Sequence, residues 1–231
     1  RCAPLDPHRC SKAVAAMGST GAVAMRPVVS FSPNWATISR HETITLTCTV
    51  GPTAPLSQRY SWYRDNETIN GEERSFIIGK AEEKDSGNYQ CQAGTSERSD
   101  PVRLNVTNDR VILQAPPSVY EGDPLTLRCY NPYTKAQNVT FYKDNVTISS
   151  SLTDTLTLVG SMAMNGTYTC IKYLQRHAIR YSPYTSAEIV ITIQVCRVYL
   201  WVSTAPTALR CEQGNNVGDY SLSLRCEQFR G

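Results

Sequence analysis

The sequence lacks the features that mark most functional classes. No apolar run approaches the roughly 20 residues of a membrane span. No Lys/Arg block exceeds two residues, so a net charge of +3 gives no electrostatic case for nucleic acid. There is no CxxC among the nine cysteines, which excludes the zinc-ribbon and thioredoxin patterns. Only three histidines occur, His8, His41 and His177, and none has a metal-ligand spacing such as HExxH. A glycine-rich phosphate loop and a GxSxG elbow are both missing. Acidic pairs such as Glu82–Glu83 approach a turn and read as solvated. The chain is therefore expected to be no enzyme, and to take no cofactor, metal, nucleic acid or small-molecule substrate. An initiator Met is missing too, and AVAAMGSTGAVAM (13–25) is too interrupted for a signal peptide's apolar core. The chain reads as a piece of a longer protein, whose signal peptide and membrane anchor lie outside it.

What is present points to the secretory route and to β-structure. Nine cysteines are many for a cytosolic protein. Five Asn-x-Ser/Thr sequons fall within about 100 residues, at Asn66, Asn105, Asn138, Asn145 and Asn165. Short alternating runs recur between turn signals: ETITLTCTV (42–50), RYSWYR (59–64), RSFIIG (74–79), GNYQCQA (87–93) and DPVRLNV (100–106). The series then repeats as DPLTLRCY (123–130), NVTFYKD (138–144), DTLTLVG (154–160), GTYTCIK (166–172) and SAEIVITIQ (186–194). No segment keeps a helical period. Regular short strands mean sandwiches or barrels, and the repeat means two copies.

Cys48 and Cys91 lie on the second and second-last strands of the first copy, and Trp62 follows Cys48 by fourteen residues. KDSGNYQC places Asp85, Gly87 and Tyr89 before Cys91. A disulfide across two sheets, a Trp packed on it and a tyrosine corner form the immunoglobulin pattern. Closing a loop of 43 residues is worth about 4 kcal/mol on the chain-entropy estimate. The second copy keeps Cys129 and Cys170, puts Phe141 or Tyr142 at the Trp position, and reads MNGTYTC with Asn165 in the place of Asp. Both cysteine spacings are too short for extra C′ and C″ strands, which favours seven-strand sandwiches. The fold expected is all-β: tandem immunoglobulin-like sandwiches of the constant-like, C2 type.

The boundaries expected are 1–25 for an unassigned leader without order, 26–107 for the first domain and 108–194 for the second. Residues 195–231 form a tail. GDYSLSLRC (218–226) echoes GDPLTLRC (122–129), so the simplest reading is the truncated start of a third domain, with Cys226 parted from its partner. LRCEQ occurs twice, at 209–213 and 224–228. The pairing of Cys2, Cys10, Cys196, Cys211 and Cys226 stays open, and an odd count leaves one thiol over.

Five stretches carry a resemblance: SPNWATI (32–38), DSGNYQCQ (85–92), SDPVRLNV (99–106), VILQAP (111–116) and YEGDPLTLRC (120–129). They resemble the first two domains of Fc receptors and Fc receptor-like proteins, over about 27–194. The run from Ser99 to Cys129 is the most specific, because it spans the joint between the domains. The resemblance implies two domains bent sharply against each other. In antibody-binding members it implies ligand contact through the second domain's BC loop, C strand, FG loop and the joint. Two tryptophans there commonly grip a proline of the Fc. Arg110 stands where one of them belongs, and the BC segment YNPYTKAQ (130–137) offers Pro132 and Tyr133 without a Trp. The Trp grip is absent from this chain.

Binding is expected instead from Arg110, from Tyr130, Tyr133 and Lys135 of the BC segment, and from the FG loop IKYLQRHAIRYSPYT (171–185). That loop supplies Lys172, Tyr173, Arg176, His177, Arg180 and Tyr181; Tyr and Arg are the commonest interface anchors. The expected function is a cell-surface, Fc receptor-like immune receptor ectodomain, on the outer side of the plasma membrane or secreted. Its partner would be a protein ligand, with immunoglobulin Fc among the candidates and a signalling adaptor in the full-length protein. The competing readings are an adhesion or spacer module and a soluble decoy receptor.

Overall fold

A computed structural model describes residues 26–50, 59–132, 138–177, 180–195, 210–213 and 224–227; at 176, 177, 180, 210–213 and 224–227 it gives the backbone course alone. No helix among the described residues is long and apolar enough to cross a membrane.

The first sandwich uses eight strands: β1 (Val28–Ser32), β2 (Thr37–Ser39), β3 (Ile44–Thr49), β4 (Tyr60–Arg64), β5 (Glu67–Ile69), β6 (Ser75–Ile78), β7 (Gly87–Ala93) and β8 (Val102–Thr107). One sheet runs β1-β3-β6 and the other β2-β8-β7-β4-β5. Pro33, which cannot donate to a ladder, follows β1. The chain then changes sheets, and β2 pairs parallel with β8. Alternation selects the core: Ile44, Leu46 and Cys48 of β3 face Tyr89 and Cys91 of β7. The Cys48–Cys91 disulfide joins the sheets with Cα atoms 6.0 Å apart. Trp62 lies opposite Cys91 in register, fully buried, and its Nε1–H donates to Glu73 O at 2.9 Å.

The second sandwich has β9 (Ile112–Gln114), β10 (Val119–Tyr120), β11 (Pro124–Tyr130), β12 (Val139–Lys143), β13 (Val146–Ser151), β14 (Thr155–Val159), β15 (Gly166–His177), β16 (Arg180–Thr185), β17 (Ile189–Ile191) and β18 (Ile193–Gln194). Its sheets are β14-β11-β9 and β13-β12-β15-β16, with β17 also on β15 and a parallel β10–β18 pair. The Cys129–Cys170 disulfide again spans 6.0 Å between Cα atoms. Phe141, opposite Cys170 and buried, takes the Trp place, while Tyr142 is half-buried. Each domain carries a C′ strand, β5 and β13, which corrects the expectation that the cysteine spacings leave no room for one: a two-residue turn and a strand of three or six residues fit within them.

Two corners correct the sequence alignment. Tyr89 Oη donates to Asp85 O at 2.6 Å, and Tyr168 Oη donates to Met164 O at 2.7 Å. Met164 therefore holds the place of Asp85, and Asn165 that of Ser86, not that of Asp as the sequence reading had it. The side chains agree: Ser86 Oγ accepts from Val106 N at 2.9 Å, and Asn165 Oδ1 from Ile193 N at 2.6 Å. Asn165 pins the last strand, whereas Asp85 caps the short helical turn before it through Glu82 N at 2.8 Å.

The C–C′ hairpins repeat faithfully. Asp65–Asn66 and Asp144–Asn145 all have positive φ, between 49° and 71°, as a type I′ turn requires. Asp65 Oδ1 accepts from Asn88 N and Asp144 Oδ1 from Thr167 N, both at 2.9 Å. Gly87 and Gly166 let these turns approach: a Cβ on either would lie 2.7 Å from the Asp carboxylate.

The FG segment is a correction of another kind. It is a two-stranded ribbon, not a loop, because β15 continues for twelve residues and pairs with β16. In the tail, β19 (Arg210–Gln213) and β20 (Leu224–Glu227) pair antiparallel, with Cys211 opposite Cys226. The repeated LRCEQ segments are thus the two arms of one strand pair. The leader, Cys2, Cys10 and Cys196 lie outside the described residues, and the tail strands belong to a separate compact unit.

Candidate functional site

The site begins at the joint between the sandwiches. Ala36 N donates to Ala115 O at 2.8 Å, a backbone bond from the first domain to the second. Val111 and Leu113 face the second core, while Ile112 and Gln114 face the other way and are buried all the same. Gln114 Nε2 donates to Thr37 O of the first domain at 3.2 Å. A strand buried on both faces at its first three residues makes a fixed joint rather than a tether. Thr107 Oγ1 and Asp109 Oδ2, 2.8 Å apart, order the chain just before it.

Arg110 sits at that joint, exposed. One terminal N–H donates to Tyr184 Oη at 3.1 Å, and the guanidinium lies 5.5 Å from the Tyr184 ring centre. The Arg110 carbonyl accepts from Asn131 Nδ2. Three distant segments therefore meet: the joint, the residue after β11, and β16. The joint thus presents a cationic, donor-rich group backed by a tyrosine.

The ribbon sorts the remaining candidates by face. Tyr173 lies opposite Pro183, and Gln175 opposite Tyr181. Tyr173 and Tyr181 therefore share one face as diagonal neighbours, and they are 41% and 42% exposed. The other face carries Lys172, Leu174 and Tyr184. The Lys172 expectation is thereby corrected: it is only 2% exposed, and its Nζ donates to Cys129 O at 3.1 Å. Burial holds its ammonium below the ordinary lysine value, with Asp154 acting weakly the other way.

Tyr130 also turns out to serve the joint. Arg128 stacks 4.4 Å from its ring centre. Burial, and then the Glu42 carboxylate of the first domain, raise its phenol above the usual value. Tyr133 and Lys135 lie outside the described residues. Arg176, His177 and Arg180 are placed by backbone alone at the ribbon's end, where the register shifts between Gln175 and His177. No acidic residue occurs from 155 to 187, so every formal charge on that stretch is positive. The sequence reading missed Asn131 and Gln114, because only the packing at the joint buries these two amides.

Comparison with known proteins agrees with this architecture. The immunoglobulin domain family model matches residues 26–106 and 110–188. Fc receptor-like protein 4 of Homo sapiens is 39% identical over 156 residues, covering 66% of this chain and 30% of that protein. Fc receptor-like protein 5 of Homo sapiens is 33% identical over 217 residues, covering 89% of this chain and 21% of that protein. Low affinity immunoglobulin gamma Fc region receptor II of Bos taurus is 29% identical, covering 73% of this chain and 56% of that receptor. The chain thus spans about a third or less of the Fc receptor-like relatives it matches. Two domain matches, two bridged sandwiches and these relatives place the chain in the immunoglobulin superfamily, as a member of the Fc receptor and Fc receptor-like family of non-enzymatic immune receptors.

Proposed function

We propose that this chain is the extracellular, ligand-binding part of a cell-surface immune receptor. It binds a protein, with immunoglobulin Fc as the leading ligand, through the joint end and ribbon of the second sandwich. The observation that carries this reading is the meeting of Arg110, Asn131 and Tyr184 at a fixed joint. Side chains from three segments converge there, beside a ribbon that exposes Tyr173 and Tyr181. Rigid aromatic area next to directed donors is what interface anchors supply. Tyr133, Lys135, Arg176, His177 and Arg180 are further candidates on the same segments. The contact differs from a Trp clamp on proline: a guanidinium favours carboxylate or carbonyl oxygens of the ligand. Signalling would fall to parts of the full-length protein, including an adaptor subunit.

Surface binding of the purified chain to each immunoglobulin class of the host tests the reading. Binding to at least one class, weakened about tenfold or more by Arg110→Ala or Tyr181→Ala, is expected. Failure to bind any class would remove immunoglobulin as the ligand. Self-association indifferent to both substitutions would favour an adhesive module instead.

A further inference from the structure

The second sandwich ends on an edge whose one protection is a β-bulge. Strand β13 is six residues long and pairs only with β12 among the described residues. From Asn145 to Thr153 there is no charged residue and no proline. Val146 is 66% exposed, Ile148 38% and Leu152 74%. The ladder skips Ile148, because Phe141 pairs with Ser149 and Tyr142 with Thr147. That bulge is the strand's own protection, and it leaves the aliphatic side chains in solvent. Free edges of this kind template pairing with another chain unless lysine, proline, shortness or a cover prevents it. The first sandwich's counterpart β5 is shorter, at three residues, and opens on the charged Glu67, although its turn too holds a sequon asparagine, Asn66.

A second cover is encoded at the head of this strand. Asn145 is exposed, stands second in the type I′ turn with φ of 64°, and begins the sequon Asn145-Val146-Thr147. The turn is held from below: the Asp144 carboxylate accepts from Lys143 Nζ at 2.6 Å and from Thr167 N at 2.9 Å. A group attached to Asn145 therefore leaves from a fixed point, directly before Val146.

We propose that Asn145 is N-glycosylated and that its glycan shields the β13 edge from pairing with other chains. In the transfer, the Asn145 Nδ2 forms a bond to the anomeric carbon of a lipid-pyrophosphate-linked oligosaccharide. The carbon–oxygen bond to pyrophosphate breaks, the lipid pyrophosphate leaves with the electron pair, and the Nδ2 proton passes to a base of the transferase. The glycan then occupies the solvent in front of Val146 and Ile148, where an added strand would otherwise dock. The inference rests on the cell-surface reading only in that the chain must enter the secretory lumen.

The test is to secrete the whole chain from mammalian cells behind an added cleavable signal sequence. That supplies the compartment, so a missing glycan would count against the site and not against the receptor reading. Glycopeptide mass spectrometry is expected to find Asn145 occupied. Thr147→Ala and Asn145→Gly break the sequon from opposite ends, and glycine retains the positive φ. Each is expected to lose one glycan and to self-associate at about tenfold lower concentration in sedimentation. Adding Val146→Thr and Ile148→Thr to either variant is expected to restore the monomer. Enzymatic removal of glycans from the folded wild-type protein gives the same readout without substitution. An unoccupied Asn145, or aglycosyl variants as monomeric as the wild type, would overturn the proposal.

Discussion

The two sandwiches share a frame and differ in where their side chains are committed. The first holds Trp62 on its disulfide, caps its corner with Asp85 and ends its C′ strand after three residues. The second has Phe141 in place of Trp, Met164 in place of Asp, and a lysine inside its core. It extends the F strand into a ribbon and gathers Arg110, Asn131 and Tyr184 at the joint. What both keep is the disulfide, the tyrosine corner and the type I′ hairpin. The two domains keep these three features in common while Trp62, Asp85 and the length of the C′ strand vary between them.

Four sets of substitutions separate what the two domains share from what each has of its own. The largest effect is expected from the disulfides. Their loops are 43 and 41 residues, so removing either pair of cysteines should cost its domain about 4 kcal/mol. Denaturant unfolding of the two variants should show matching losses; a much smaller loss in the second domain would mean that its frame does not depend on the bridge. Next is the core aromatic. Trp62→Phe loses the bond to Glu73 O and leaves a void, for about 2 kcal/mol. Phe141→Trp in the smaller site should cost a similar amount, roughly 1–3 kcal/mol, through overpacking.

The buried lysine is expected to have the opposite sign. Lys172→Met should stabilise the second domain by about 1–2 kcal/mol at neutral pH, because a buried charge gives way to a side chain of similar shape. Its pKa is lowered on folding, so the native state holds the proton less well than the unfolded chain. The penalty is full below the depressed value, fades as pH rises through it, and is gone above the ordinary 10.5. Thermal unfolding of both proteins across that range should show the advantage of methionine shrinking. The smallest effect belongs to the corner: Asp85→Ala should cost about 1 kcal/mol by releasing Glu82 N. Met164→Asp should gain nothing, since Met164 packs against the core.

Much of this was legible in the chain, and the misses have physical causes. Cys48, Trp62, Tyr89 and Cys91 sit at fixed offsets because strand lengths and the corner fix them. The burial of Lys172 was legible too: alternation from Cys170 sends residues 172 and 174 inward. It was overlooked because a tyrosine- and arginine-rich stretch reads as a loop, where alternation has no force. Counting back four residues from Tyr168 gives Met164, so the place of Asn165 could also have been read. The meeting of Arg110 with Tyr184 could not. They are 74 residues apart, and only the joint and the length of the ribbon bring them together.

We propose that a protein ligand is held at the joint end of the second sandwich. The most direct measurement is surface plasmon resonance of the whole chain against the host's immunoglobulin classes, with two variants in parallel. Arg110→Ala removes the guanidinium at the joint. Arg98→Ala removes a comparable cation of the first domain, stacked 3.6 Å from the Tyr63 ring centre. At least one class is expected to bind, with affinity falling about tenfold or more for Arg110→Ala and holding for Arg98→Ala. Binding that survives Arg110→Ala and is lost with Arg98→Ala would contradict it.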